Sequence, residues 1–209
     1  MRHFFGSLIR WSREFFVSRR DVRLFVAQAG EMRRPARPSP EAWKHGAEAT
    51  PVGSTADCPE DSGAIDDFAV NAASPVARTP QALLIDGEIA GWGFTSCIDG
   101  PFPVLEAHGA PVPATRGDVV LSAFHVRVRY RGRGLYQAML AEMAGTAFRA
   151  GAARVWIYAR AENLASCSAI LRVGFRPVGR WIASRLLGRR TLAWRDAAQS
   201  ASETSTRLS

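Results

Sequence analysis

Two glycines in an arginine-rich stretch, Arg129-Tyr-Arg-Gly132-Arg-Gly134, stand between a β-prone run and a segment of helical periodicity. At such a junction the first N–H groups of a helix lack acceptors and the helix dipole is positive, so anions are attracted there. Glycine admits a phosphate to the main chain with no Cβ in the way. Each contact contributes about 0.3–1 kcal/mol, so holding a diphosphate needs several amides together with Arg131 or Arg133. The same glycines also serve a bare strand-to-helix turn, and the loop alone does not separate the two uses. It does exclude others. No Lys follows as in G-x-x-x-x-G-K-[ST], and position 137 is Gln where a dinucleotide fingerprint has its third glycine.

Other chemistry-bearing residues flank this loop. His125 lies on the preceding run and is the best-placed titratable group there, although a lone His on a strand also serves structure. Asp118, Glu106 and Glu162 are further carboxylates, and Tyr136 and Tyr158 are phenols that can donate a proton. Asn163, three residues before Ser166, opens a second apolar helical run and suits a helix cap as well as a ligand. Cys58, Cys97 and Cys167 are widely spaced with no C-x-x-C pair, which excludes a disulfide framework and a zinc cage; no metal and a reducing, cytoplasmic setting are expected. Nothing near Cys167 in the sequence would lower its pKa, so a covalent thiol mechanism is not expected.

The elements that must position these residues follow from periodicity. Phe4, Leu8, Trp11 and Phe15 form a stripe that predicts a basic amphipathic helix, suited to packing on its own domain or to a membrane surface. It lacks the apolar core and cleavage site of a secretory signal. Asp21–Gln28 reads as a first strand. From Met32 to Asp61 prolines interrupt any periodicity, with a short helix expected near Ser39–His45 or Asp66–Ala73. Gln81–Ile85 and Ile89–Cys97 around Asp86-Gly87 predict a β-hairpin. After the turn-prone Pro111–Gly117, Asp118–Val128 predicts a strand leading into the glycine loop. Leu135, Met139, Leu140, Met143 and Phe148 predict a helix of about four turns capped near Gly151. A strand at Val155–Tyr158, a helix at Leu164–Val173 ending at Gly174, and a hairpin over Arg176–Trp194 turning near Gly188 complete the pattern.

Composition agrees with one domain plus tails: 209 residues, 47% hydrophobic, with no run approaching the roughly 18 apolar residues of a membrane span. The net charge of +8 is unevenly spread. Residues 1–37 hold nine Arg against three acids, residues 38–118 three basic against twelve acidic groups, and residues 119–209 fifteen Arg against four acids. The basic C-terminal part can attract nucleic acid, an anionic membrane or a phosphorylated small molecule.

The R-x-x-G-x-G of Arg129–Gly134, together with Asn163-x-x-Ser166 and Gly174-Phe175, resembles the acetyl-CoA signature of the GNAT N-acyltransferase superfamily over about Gln81–Trp194. The resemblance implies an α+β fold, a mixed and mostly antiparallel sheet flanked by helices, here preceded by the amphipathic helix. Taken with periodicity and composition, it divides the chain into residues 1–31, a basic amphipathic helix and first-strand candidate; 32–80, a Pro-rich acidic connection with short helical pieces; 81–194, the acyl-CoA-binding core; and 195–209, a disordered tail. It implies that Arg131, Gly132, Arg133, Gly134 and Leu135 bind the pyrophosphate, and that Phe124, His125 and Val126 pair with pantetheine, joined by Asn163 and Ser166.

The implied reaction is direct attack of a primary amine on the acetyl thioester through a tetrahedral intermediate, with acetyl-CoA as co-substrate and no metal. His125 is the expected base. The tyrosine that many members use as acid is replaced by Ile170, which leaves Tyr136, or Tyr158, in that role. A small amine or amino sugar is the expected acceptor, and the chain is expected to be a monomer or homodimer with peripheral membrane contact open to residues 1–20. The alternatives are a noncatalytic CoA-binding module and a basic nucleic-acid-binding domain. No nucleic-acid motif or aromatic-basic platform is present, so nucleic acid is not an expected partner.

Overall fold

The computed structural model describes residues 17–33, 42–45, 64, 78–187 and 189–197. The expected amphipathic helix before Val17, the helical piece at Asp66–Ala73 and the tail beyond 197 lie outside these residues. The described strands are β1 (Val17–Gln28), β2 (Ala42–His45), β3 (Thr79–Ile85), β4 (Glu88–Cys97), β5 (Phe102–Val104), β6 (Ala110–Val112), β7 (Val119–Val126), β8 (Arg154–Arg160), β9 (Arg176–Leu186) and β10 (Arg189–Asp196). The helices are α1 (Leu135–Arg149) and α2 (Leu164–Val173). Eight strands form one sheet in the order β10-β9-β1-β8-β7-β4-β3-β2, and β5 and β6 form a separate two-stranded ribbon. Every neighbouring pair in the large sheet is antiparallel except β7 and β8.

The helices cover one face. α1 buries Leu135, Ala138, Met139, Leu140, Met143, Ala144 and Ala147, the stripe that its 3.6-residue period predicts. Leu140, Met143, Ala144 and Ala147, together with Cys167, Ile170 and Val173 of α2, pack on Phe25, Val119, Leu121, Val155 and Ile157 of the sheet, while Leu135 and Met139 pack with Leu83 and Ala90. The opposite face carries Val22, Leu24, Val120, Trp156 and Tyr158, covered by the β5–β6 ribbon through Phe102, Val104, Ala110 and Val112.

Three local expectations are corrected. Residues 42–45, within the helix expected at Ser39–His45, form β2, which pairs with Gln81–Leu84 of β3: an edge hydrogen-bond ladder overrides local propensity. Part of the turn-prone Pro111–Gly117 is strand, since β6 pairs Pro111 with Pro103 in a ribbon whose two strands are both edges and tolerate proline. β10 runs on through Arg195 and Asp196, paired with Arg180 and Gly179, so the first residues assigned to the tail belong to the sheet.

The base of the β7–β8 pair is clamped by one carboxylate. Asp118, 1% exposed, accepts from the Thr115 N–H at 2.8 Å, Arg154 Nη2 at 2.8 Å and Nε at 3.1 Å, and Trp156 Nε1 at 3.0 Å. Burial alone would raise its pKa, but Arg154, Thr115 and Trp156 outweigh this and hold it below its ordinary 3.8. The acid that the sequence offered as a base is therefore a saturated structural anchor.

Candidate active site

The site begins where the one parallel pair ends. β7 and β8 pair only over Val119–Leu121 and Val155–Ile157, although β7 continues to Val126 and β8 to Arg160. Beyond that point the strands share no ladder, and a cleft opens in the middle of the sheet. A bulge shapes its wall: Ala123 and Phe124 together face Gly93, between the pairs Trp92–His125 and Phe94–Ser122. Ala123 takes φ +51°, an uncommon conformation for a non-glycine residue. The bulge sends Phe124 and Val126 toward α1, while Ser122 and His125 look to the opposite face.

β7 leads through a 3₁₀ turn at Val128–Tyr130 into the glycine loop. Gly132 and Gly134 have φ of +76° and +77°, and a Cβ built on either meets nothing within 4 Å. The positive φ explains why both are glycine, and the open space beside them fits an incoming phosphate. Gly134 is the N-cap of α1, and no side chain caps that helix, so its first-turn amides are left to an outside acceptor. The loop is pinned from behind. The Tyr130 hydroxyl donates to Glu88 Oε2 at 3.0 Å, Arg129 pairs with the same carboxylate, and Arg131 Nε donates to the Val126 carbonyl at 3.0 Å. The Arg129 and Arg133 guanidinium groups lie over the Tyr130 ring at 5.0 and 5.4 Å. Glu88 follows Asp86-Gly87 directly, so the hairpin turn and the glycine loop form one unit; sequence spacing does not show this link.

On the helical side, the phenol of Tyr136, at the start of α1, meets Ser166 of α2, and its ring packs edge-on against Phe124 at 5.5 Å. Burial raises the Tyr136 pKa well above its ordinary value. Asn163 is the N-cap of α2, with Oδ1 accepting from the Ser166 N–H at 3.1 Å. Its capping role is thus realised, and its side-chain amide remains at the open end of the helix. Phe124, Tyr136 and Ser166 meet on this side of the cleft. Ile170 is fully buried among α2, α1 and the sheet. Cys167 is also buried, which raises its pKa.

On the other side, His125 stacks on Trp92 at 4.7 Å between ring centroids. Tyr158 of β8 lies beside Ser122 and donates to Glu106, which sits in the 3₁₀ turn Leu105–Ala107 between β5 and β6. Burial first, and the Glu106 charge in addition, raise the Tyr158 pKa far above its ordinary value. Glu106 Oε2 is closed off from solvent and accepts no hydrogen bond. Arg78, whose guanidinium lies over the Phe102 ring at 5.2 Å, is the cation facing this group. The sequence placed Glu106 among several carboxylates; only the ribbon brings it over the cleft. Glu162 is exposed and stands 4.0 Å from Arg160.

A mixed, mostly antiparallel sheet flanked by helices, with a glycine loop at a helix N-terminus, is the arrangement that the sequence resemblance implied. The acetyltransferase (GNAT) family model matches residues 53–175, more than half of the chain, and the chain belongs to that family. Among solved structures it is similar to a GCN5-related N-acetyltransferase from Sphaerobacter thermophilus, with 17% identity and a TM-score of 0.49 over 90% of this chain and 56% of that one. It is similar to an acetyltransferase from the GNAT family of Colwellia psychrerythraea, with 14% identity and a TM-score of 0.52 over 86% of this chain and 60% of that one. A conserved protein of unknown function from Staphylococcus epidermidis gives 12% identity and a TM-score of 0.51 over 86% and 66%. The chain therefore spans little more than half the length of the first two. No curated protein matches the sequence. Among the described residues no helix is long and apolar enough to cross a membrane, and no cluster of His, Cys, Asp or Glu is built to hold a metal ion.

Proposed function

We propose that the protein transfers an acetyl group from acetyl-CoA to the primary amine of a small molecule. The cleft between β7 and β8, which runs directly into the uncapped N-terminus of α1, carries this reading. The amides of Arg131–Leu135 hold the pyrophosphate, with the Arg131 and Arg133 side chains adding charge. The exposed main chain of Phe124–Val126 and the Asn163 amide hold the pantetheine arm. Ser166 acts through Tyr136, which it orients.

The acceptor approaches from the face that carries Glu106. An alkylammonium has a pKa near 10.4 and must lose a proton before it can attack. The unpartnered Oε2 of Glu106 takes that proton, and Tyr158 orients the carboxylate; His125, stacked on Trp92, forms the wall of the acceptor pocket. The amine lone pair forms the C–N bond at the thioester carbon, the C–S bond breaks as the thiolate leaves, and the second proton that the nitrogen must lose to become an amide passes to solvent. Tyr136 stays a neutral phenol and hydrogen-bonds that thiolate. Full transfer from a phenol of raised pKa would run uphill, and a thiolate with pKa near 8.5 costs only roughly 2 kcal/mol at pH 7, so a hydrogen bond suffices. This is how activity survives with Ile at position 170.

Calorimetric titration with acetyl-CoA tests the reading. Micromolar binding by the natural chain, lost in a Gly132→Glu, Gly134→Glu double variant that stays folded by circular dichroism, is the expected result. Thiol release on a panel of amines and amino sugars then identifies the acceptor. Absence of acetyl-CoA binding by the folded natural chain overturns the assignment.

A further inference from the structure

Three arginines lie in the glycine loop, and the fold gives each a different task. Arg129 pairs with Glu88, both side chains about half exposed. Arg131 donates through Nε to the Val126 carbonyl at 3.0 Å, which keeps its stem along the end of β7. Arg133 stands at the apex, between Gly132 and Gly134, and among the described residues it enters no ion pair and no hydrogen bond. Its guanidinium lies over the Tyr130 ring at 5.4 Å. Of the three it is the one whose N–H donors all remain open to a ligand.

What aims Arg133 is a chain of contacts that begins outside the loop. Glu88 opens β4, directly after the Asp86-Gly87 turn. Its Oε2 accepts from the Tyr130 hydroxyl at 3.0 Å and pairs with Arg129. Tyr130 is buried in one cluster with Leu83, Ala90, Leu135 and Met139. Burial first, and the bond to Glu88 in addition, raise the pKa of the phenol, so it stays neutral and keeps donating. A ring fixed both by its hydroxyl and by its apolar body is a rigid seat, and its face attracts a guanidinium. Arg129 lies over the same ring at 5.0 Å. Two cations sharing one ring repel each other, and the Glu88 carboxylate neutralises Arg129 alone. The charge of Arg133 is left uncompensated beside the uncapped first turn of α1. A half-exposed ion pair adds little to stability, so the consequence of the Glu88 contacts lies in the geometry of the loop.

We infer that Glu88 and Tyr130 are positioning residues for the coenzyme, setting the Arg133 guanidinium toward the diphosphate of acetyl-CoA. The inference rests on the acetyl-CoA reading and adds to it a carboxylate 42 positions before Tyr130 that governs coenzyme affinity without touching the coenzyme. Holding a flexible arginine in its working place before binding removes part of the ordering that binding would otherwise require.

The test is calorimetric titration of the full chain with acetyl-CoA, for Glu88→Ala, Tyr130→Phe, Arg133→Gln and the two double variants that join Arg133→Gln to each of the others. Arg133→Gln is expected to raise Kd about tenfold, the effect of one charge-assisted hydrogen bond to phosphate. Glu88→Ala and Tyr130→Phe are each expected to raise it about threefold, and to raise it no further once residue 133 is Gln. A merely structural role gives no such non-additivity, and the urea midpoints of the two single variants are expected to stay near that of the natural chain. The same ratios are expected with acetyl-dephospho-CoA, whose only phosphates are the diphosphate. Additive losses, or Kd values equal to that of the natural chain, overturn the inference. Losses confined to the coenzyme that carries the 3′-phosphate overturn it too, since Arg133 would then serve that phosphate. If the folded natural chain binds no acetyl-CoA, the acetyltransferase reading fails and takes this inference with it; tight binding by the natural chain with unaltered variants sinks the inference alone.

Discussion

Glu106 and Asp118 are both shielded carboxylates, and their surroundings give them opposite work. Asp118 has all its capacity taken by Arg154, Thr115 and Trp156, so its charge stabilises the folded state. Because the folded pKa lies below the unfolded one, this stability is complete above pH 4 and is lost as pH falls through the folded value. Asp118→Asn is expected to lower unfolding free energy by about 2 kcal/mol in urea at pH 7, with the gap from the natural chain closing as pH falls through the folded value. Glu106 keeps one oxygen unused. For Glu106→Gln the expectation is a fall in kcat/KM of about 100-fold at pH 7 and a rate that climbs with pH as the amine deprotonates by itself. Acetyl-CoA affinity from calorimetry should stay as it was. A variant within threefold of the natural rate would remove Glu106 from the mechanism.

Among the elements, α2 shows how tightly the helical layer is tied to the first strand. Gly174 closes the helix at φ +109°, and a Cβ there would come within 2.3 Å of the Glu31 carbonyl. The Arg33 N–H donates to the Val173 carbonyl at 2.8 Å, so the chain leaving β1 lies directly on the helix end. Gly174→Ala should therefore cost at least about 2 kcal/mol, read from the urea midpoint, since neither φ nor backbone contact can relax cheaply. Both helices were legible in the sequence, α2 to the residue, because their periodic stripes and glycine stops are local signals. So was the Asp86-Gly87 hairpin. The ribbon at 102–112 was not, since three-residue strands around two prolines carry no period, and β2 was not, since its only reason for being extended is a partner 40 residues away. The glycine loop was legible for the same reason as the helices. The link from Tyr130 to Glu88 and the approach of Glu106 to Tyr158 were not, because each joins residues more than 40 apart through the folded sheet.

At the scale of the whole molecule, the place of β1 matters most. It lies between β8 and β9, antiparallel to both, and those two strands, consecutive in sequence around α2, do not pair with each other. A strand with partners on both sides has no tolerance for a missing N–H. Val22, paired with Arg160 on one side and Trp181 on the other, is fully buried. In a Val22→Pro variant the cooperative thermal transition followed by near-ultraviolet circular dichroism is expected to disappear, because the sheet is cut beside the cleft.

The same placement bears on how the protein is made. A ribosome delivers β1 long before one of the strands it must pair with: Asp21 waits for Arg180, 159 residues later. Until then the strand has two open edges and apolar side chains on both faces, the kind of segment that nascent-chain chaperones hold and that misfolding would recruit. Closure of the sheet is consequently a late event, and the speed of folding is set by that long-range insertion rather than by the helices.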